Sequence, residues 1–221
     1  MDRTIVAIYT GRGICEPVQK IINATLPDFR LISLIDDNLI GECVAAGGMT
    51  KDVEKRLLTY YKCAEEMGAD IILNTCSSVG EVVYTGRQMI RTPILRIDEP
   101  MARKAVQEHS RIAVVATLST TLEPTMRLIQ REAEKIGKKI EILNGLAEGA
   151  FEALGDGRAE EHDRLLRETV KNLQEKNADC IVLAQASMMR MQNELSNSVS
   201  IPVLASPQLC MDEISRMYRK K

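Results

Sequence analysis

Ala69-Asp-Ile-Ile-Leu-Asn-Thr-Cys76 returns 109 residues later as Ala178-Asp-Cys-Ile-Val-Leu-Ala-Gln185. Two further stretches repeat in the same order: Arg3-Thr-Ile-Val-Ala-Ile-Tyr-Thr10 with Ser110-Arg-Ile-Ala-Val-Val-Ala-Thr117, and Thr92-Pro-Ile-Leu95 with Ile201-Pro-Val-Leu204. Each copy holds a short apolar, β-branched run, which reads as a strand buried on both faces. Strands are expected at 4–9, 30–35, 70–73, 93–97, 111–116, 139–143, 179–183 and 202–204. Stretches with helical periodicity, such as Val53–Met67 and Leu165–Leu173, lie between them. Strand–helix alternation with such strands implies parallel sheets covered by helices. The repeat predicts two similar α/β halves, 1–109 and 110–221, with the helix that ends the first half free to cross to the other lobe.

Composition narrows the function classes. The 221 residues are 45% hydrophobic and 27% charged, ordinary for a protein that buries a core. Net charge is −2 and aromatic content 3% with no tryptophan, which argues against nucleic acid, base-stacking platforms and anionic membranes. No apolar run approaches the roughly 18–20 residues of a membrane span, and the opening Met-Asp-Arg is not a secretory signal, so a cytoplasmic location is expected. The six cysteines, Cys15, Cys43, Cys63, Cys76, Cys180 and Cys210, stand singly. Without a Cys-x-x-Cys pair or histidine at ligand spacing no metal site is expected, and the thiols read as reduced.

In open parallel sheets ligands bind beyond the carboxyl ends of the strands. That rule selects Thr10-Gly-Arg-Gly13 and Cys76-Ser-Ser78 from the first half, and Thr117-Leu-Ser-Thr-Thr121 and Gln185-Ala-Ser187 from the second. With two related halves the expected site is a cleft between lobes. Cys76 is the one cysteine at such an edge. A helix expected from Gly80–Glu81 would place its thiol near a helix N-terminus, which favours thiolate, with Ser77 and Ser78 as caps. Arg12, in a glycine turn, is a candidate partner for a substrate carboxylate. The hydroxyls and N–H groups of Ser77, Ser78, Thr117, Ser119, Thr120 and Ser187 are candidate donors.

Asp70-Ile-Ile-Leu-Asn-Thr-Cys-Ser-Ser-Val-Gly80, its second-half counterpart and Val182-Leu-Ala-Gln-Ala-Ser-Met188 resemble the aspartate/glutamate/hydantoin racemase superfamily, to which maleate isomerases and arylmalonate decarboxylases are similar. The resemblance covers essentially the whole chain. It implies two pseudo-symmetric flavodoxin-like lobes, no cofactor or metal, and a homodimer or higher homo-oligomer. Racemases of that family use one cysteine per lobe on opposite faces of the acidic carbon. The first of these falls on Cys76 and the second on Gln185, which cannot act as an acid or base near neutrality. The expectation is an isomerase or racemase-like enzyme with one cleft cysteine as acid, base or nucleophile. Its substrate would be a small carboxylic acid of the amino-acid, hydantoin or dicarboxylate class. Substrate contacts would come from Thr10, Arg12, Ser77, Ser78, Thr117, Ser119, Thr120, Gln185, Ala186 and Ser187.

Alternatives remain at this point. One thiol also suits a decarboxylase, and a second base is available from Cys15, Glu16 or Cys43. A non-catalytic relative that binds a small carboxylate fits Gln185 equally. Gly11-Arg-Gly13 lacks the third glycine of a dinucleotide fingerprint, which makes a nucleotide fold a weaker reading.

Overall fold

The computed structural model describes residues 3–219. Its elements begin with β1 (Arg3–Tyr9), α1 (Cys15–Thr25), β2 (Phe29–Ile35), α2 (Leu39–Ala45), α3 (Lys51–Glu66), β3 (Ile71–Asn74), α4 (Val82–Met89) and β4 (Ile94–Arg96). There follow α5 (Glu99–Glu108), β5 (Arg111–Ala116), α6 (Ser119–Lys135), β6 (Glu141–Leu146), α7 (Ala150–Gly155) and α8 (Ala159–Glu175). The chain continues through β7 (Cys180–Leu183), α9 (Gln192–Ser198), β8 (Val203–Ala205) and α10 (Ser206–Arg219). Two compact units result. One is the chain up to Glu99 with the segment from Pro207 onward, and the other is Pro100–Ser206.

The repeat in the sequence is a repeat in topology. One sheet runs β2-β1-β3-β4 and the other β6-β5-β7-β8, every pair parallel. Central β1 and β5 pair on both edges, which is why Ile5–Tyr9 and Ile112–Ala116 are buried throughout. The duplicated Ala-Asp step has a physical reason. Asp70 accepts the Thr4 N–H at 2.7 Å, and Asp179 accepts those of Ser110 and Arg111 at 3.1 Å each. Each aspartate thus satisfies backbone donors where the central strand of its sheet begins.

Helices follow from their apolar stripes. In α3, Val53, Leu57, Tyr61 and Ala64 are buried at spacings of a helical face, and the Thr50 hydroxyl caps the start by accepting from the Val53 N–H at 3.2 Å. Helix α10 belongs to the first unit. Tyr218 meets Phe29 edge-on at 5.4 Å between ring centroids, and the Arg3 guanidinium lies 4.6 Å from the Tyr218 ring. Helix α5 belongs to the second, where Lys138 Nζ donates to the carbonyls of Val106 and His109, both at 2.8 Å. The packing boundary at Glu99 and the repeat boundary at 109 therefore differ by the length of α5. No helix among the described residues is long and apolar enough to cross a membrane.

Two local expectations need correction. Strand β6 runs Glu141–Leu146, not 139–143. Asn144 and Gly145 lie in the ladder, and Gly145 opposes Val115 where a Cβ would sit 2.7 Å from the Val114 carbonyl oxygen. After Cys76 comes a single 3₁₀ turn, Ser77–Val79, before α4 starts at Val82, and neither start is capped by a side chain. Ser77 does not cap because its hydroxyl is directed to the Asp98 carboxylate instead.

Candidate functional site

In the first unit β3 delivers Cys76. Thr75, just past the strand, is anchored to the Ile8 carbonyl by its N–H at 3.2 Å and its hydroxyl at 2.8 Å. Cys76 follows with φ −123° and ψ 120°, half-buried, at the start of the 3₁₀ turn. Its N–H donates to Asn74 Oδ1 at 3.0 Å, and Asn74 Nδ2 donates to Tyr61 Oη at 2.6 Å. Tyr61 is fully buried, and burial raises its phenol far above the ordinary range, so it stays a neutral anchor. The thiol therefore rides on a backbone held at two successive residues. The helix expected from Gly80–Glu81 is α4, which starts at Val82 with Glu81 at its N-cap, but the 3₁₀ turn separates the thiol from it, so the macrodipole argument for thiolate is weakened.

Other first-unit candidates take different places. Thr10, buried, follows β1, the strand beside β3, and so shares the same sheet edge as Cys76. Arg12 is exposed and its Nε lies 2.5 Å from Asp37 Oδ2, so its charge is already matched by a carboxylate of its own chain. Ser77 and Ser78 are buried. The alternative bases are placed unfavourably. Cys15 is buried, with Sγ donating to the Gly11 carbonyl at 3.4 Å, and burial pushes its thiol up. Cys43 lies in the core beside Cys76, and burial first, then Cys76, pushes its thiol up to about 11. Glu16 is exposed and paired with Lys20 at 2.6 Å.

The second unit repeats the geometry with different chemistry. Gln185 stands where Cys76 stands: after the corresponding strand, before a 3₁₀ turn (Ala186–Met191), with φ −113° and ψ 132°. Its Oε1 accepts the Thr117 N–H at 2.7 Å and the Thr117 hydroxyl at 2.9 Å. A backbone N–H can only donate, so the oxygen is the atom facing Thr117 and the amide N–H groups point elsewhere. The structure thus joins Thr117 to Gln185, as a pair across neighbouring strands β5 and β7. Thr120, in the first turn of α6, is buried, and its Oγ1 has no partner among the described residues. Ser119 and Ser187 are exposed, whereas Ala186 is buried. Met188 and Met191 fill the core of this unit.

Four residues around Cys76 were not singled out in sequence: Asn74, Tyr61, Arg96 and Asp98. Arg96 and Asp98 are each 1% exposed and form a two-pronged ion pair at 2.9 and 2.8 Å. Burial works to raise the Asp98 carboxyl, but the Arg96 guanidinium and the Ser77 hydroxyl overcome it and hold that carboxyl below the ordinary range. The signal was available: charges seldom interrupt a strand that is otherwise buried. Among the described residues no group of three or more His, Cys, Asp or Glu side chains gathers as a metal site would require.

A family model described as Asp/Glu/Hydantoin racemase matches residues 6–214. The fold is similar to that of a glutamate racemase from Bacillus anthracis, with a TM-score of 0.79 at 12% identity over 99% of this chain and 82% of that one. It is also similar to an allantoin racemase from Klebsiella pneumoniae, at 0.74 and 17% over 99% and 88% of the two chains. An aspartate racemase from Picrophilus torridus matches at 0.67 and 13% over 97% and 94%.

Proposed function

The chain belongs to the Asp/Glu/Hydantoin racemase family, and from that membership we propose a proton-transfer enzyme with one working thiol, Cys76, acting without a cofactor on a small carboxylic acid. The observation that carries the reading is the Thr117–Gln185 pair. At the position that would hold a second thiol, an amide is fixed with its oxygen occupied and its N–H groups available. Such a group stabilises developing negative charge and cannot take or give a proton near neutrality.

The chemistry follows from that asymmetry. The Cys76 thiolate removes a proton from the carbon next to the substrate carboxylate, leaving an enediolate whose charge spreads onto the carboxylate oxygens. The Gln185 amide and the Thr120 hydroxyl are the second half's proposed donors to a substrate carboxylate, a good donor being worth roughly 3–4 kcal/mol where charge develops. The same thiol returns a proton to the face from which it was taken. Exchange with solvent then proceeds without inversion, unlike a racemase with a thiol on each face. Thiol addition to an activated double bond, giving cis–trans isomerisation, uses the same residue.

The test is incubation in heavy water with amino acids, hydantoins and dicarboxylates, followed by NMR and chiral analysis. Deuterium should enter the acidic position with configuration retained, and Cys76→Ser should slow this by about a thousandfold or more. Full activity in Cys76→Ser would overturn the assignment of the thiol. Inversion as fast as exchange would overturn the single-thiol mechanism. Saturable binding of a carboxylate with neither exchange nor turnover would assign the protein to ligand binding, and release of carbon dioxide to decarboxylation.

A further inference from the structure

Behind the Cys76 turn lies an ion pair that no step of the proposed chemistry uses. Arg96 ends β4, and Asp98 follows two residues later, with Arg96 Nε and Nη2 donating to the two carboxylate oxygens at 2.9 and 2.8 Å. Both side chains are withdrawn from water. Desolvating two charges is costly, and an apolar pair of similar volume often serves packing as well or better. The charges must therefore be weighed by what they touch.

What they touch is the turn that carries the thiol. The Ser77 hydroxyl donates to Asp98. The guanidinium lies against Gly80 so closely that a Cβ there would come within 2.5 Å of Arg96 Cζ and Nη2 and 2.6 Å of Nε. One end of the turn is thus held by a hydrogen bond and the other by contact. Strand pairing adds a third hold. Arg96 is in register with Asn74, whose carbonyl accepts the Ile97 N–H at 2.9 Å and whose side chain accepts the Cys76 N–H. Tyr84 Oη, 3.3 Å from Arg96 Nη1, flanks the guanidinium from α4.

We propose that Arg96 and Asp98 are positioning residues for Cys76, fixing the 76–80 turn through the Ser77 hydroxyl and through contact with Gly80. The inference rests on Cys76 being the reacting thiol, but it can be read without assuming any substrate. It also assigns Ser77 a role other than the one expected for it. With its proton directed to Asp98, Ser77 has only oxygen lone pairs left to offer, so it can accept from N–H or S–H groups and does not donate to a substrate carboxylate.

The experiment measures iodoacetamide alkylation of Cys76 between about pH 6 and 10, the range in which thiols titrate, by mass analysis of the peptide bearing it. Thermal midpoints, kcat and KM are recorded on the same samples. Ser77→Ala leaves the ion pair in place. It should move the midpoint of the alkylation profile and lower kcat about five- to tenfold, with KM nearly unchanged and the thermal midpoint lowered by a few degrees through the lost bond to Asp98. Arg96→Lys, which keeps charge but loses the planar fork, should move the profile in the same sense. Gly80→Ala provides an independent arm, because it displaces the guanidinium without removing a polar group. A folded Ser77→Ala and a folded Gly80→Ala that both keep the parental profile and kcat would overturn the proposal. If the profile moves while Cys76→Ser retains full activity, the positioning role is supported and the functional reading alone falls.

Discussion

Gln185 carries one acceptor and two donor hydrogens at its amide, and Thr117 decides which are offered. Thr117→Val keeps the backbone N–H but deletes one of the two bonds to Oε1. A net loss of about 1 kcal/mol in orientation is expected, seen as a five- to tenfold fall in kcat. Gln185→Cys replaces the donor by an ionisable thiol. It should create slow racemisation where the parent exchanges with retention, measured by chiral chromatography of a single enantiomer. The places of Cys76 and Gln185, two residues past β3 and β7, were legible in the sequence because the repeat aligns the buried strands that precede them. The surroundings of Arg12 were not legible: sequence shows a charge in a glycine turn, but not the Asp37 carboxylate folded back to meet it. Ser77 was counted among donors to substrate, and its partner Asp98 lies twenty-one residues further on, beyond the reach of local spacing.

At the scale of elements, the strand order follows from burial. Central strands must be apolar on both faces, so β1, β3, β5 and β7 stood out, whereas edge strand β6 was placed two residues early at its start and three short at its end. Gly145 sits inside that strand because the backbone of β5 comes too close for a side chain. Gly145→Ala should therefore destabilise the protein by about 1–3 kcal/mol, read as a lower thermal midpoint, because the Val114 carbonyl cannot yield as a side chain would. The short β4 and its buried pair allow a sharper test. Asp98→Asn strands the Arg96 charge and should cost about 3–5 kcal/mol, more than replacing both residues together by Met and Leu. The Asp98 carboxyl is held below its ordinary value, so its contribution is complete above about pH 4 and is lost as pH falls through the lower folded-state pKa. Thermal midpoints should drop on acidification below that point, and the double replacement should flatten the drop.

For the whole molecule, the duplication explains more than symmetry of topology. The two sheets share strand order, the aspartates that open them, and the extended residue that closes their third strand. They differ at that closing residue, Cys76 against Gln185, which is where divergence of function is expected after a fused pair forms. The helices have not stayed with their own repeats. Helix α5, encoded by the first copy, packs in the second unit, and α10, encoded by the second, packs in the first. A gene cut at the repeat boundary would yield a fragment of residues 1–109 that retains a helix built for its sibling. It would also lack the aromatic lid of Tyr218 over Phe29. Each half cut there keeps a helix that packs in the other unit and loses one that packs in its own, so a split at the repeat boundary is expected to give less stable fragments than a split that follows the packing units.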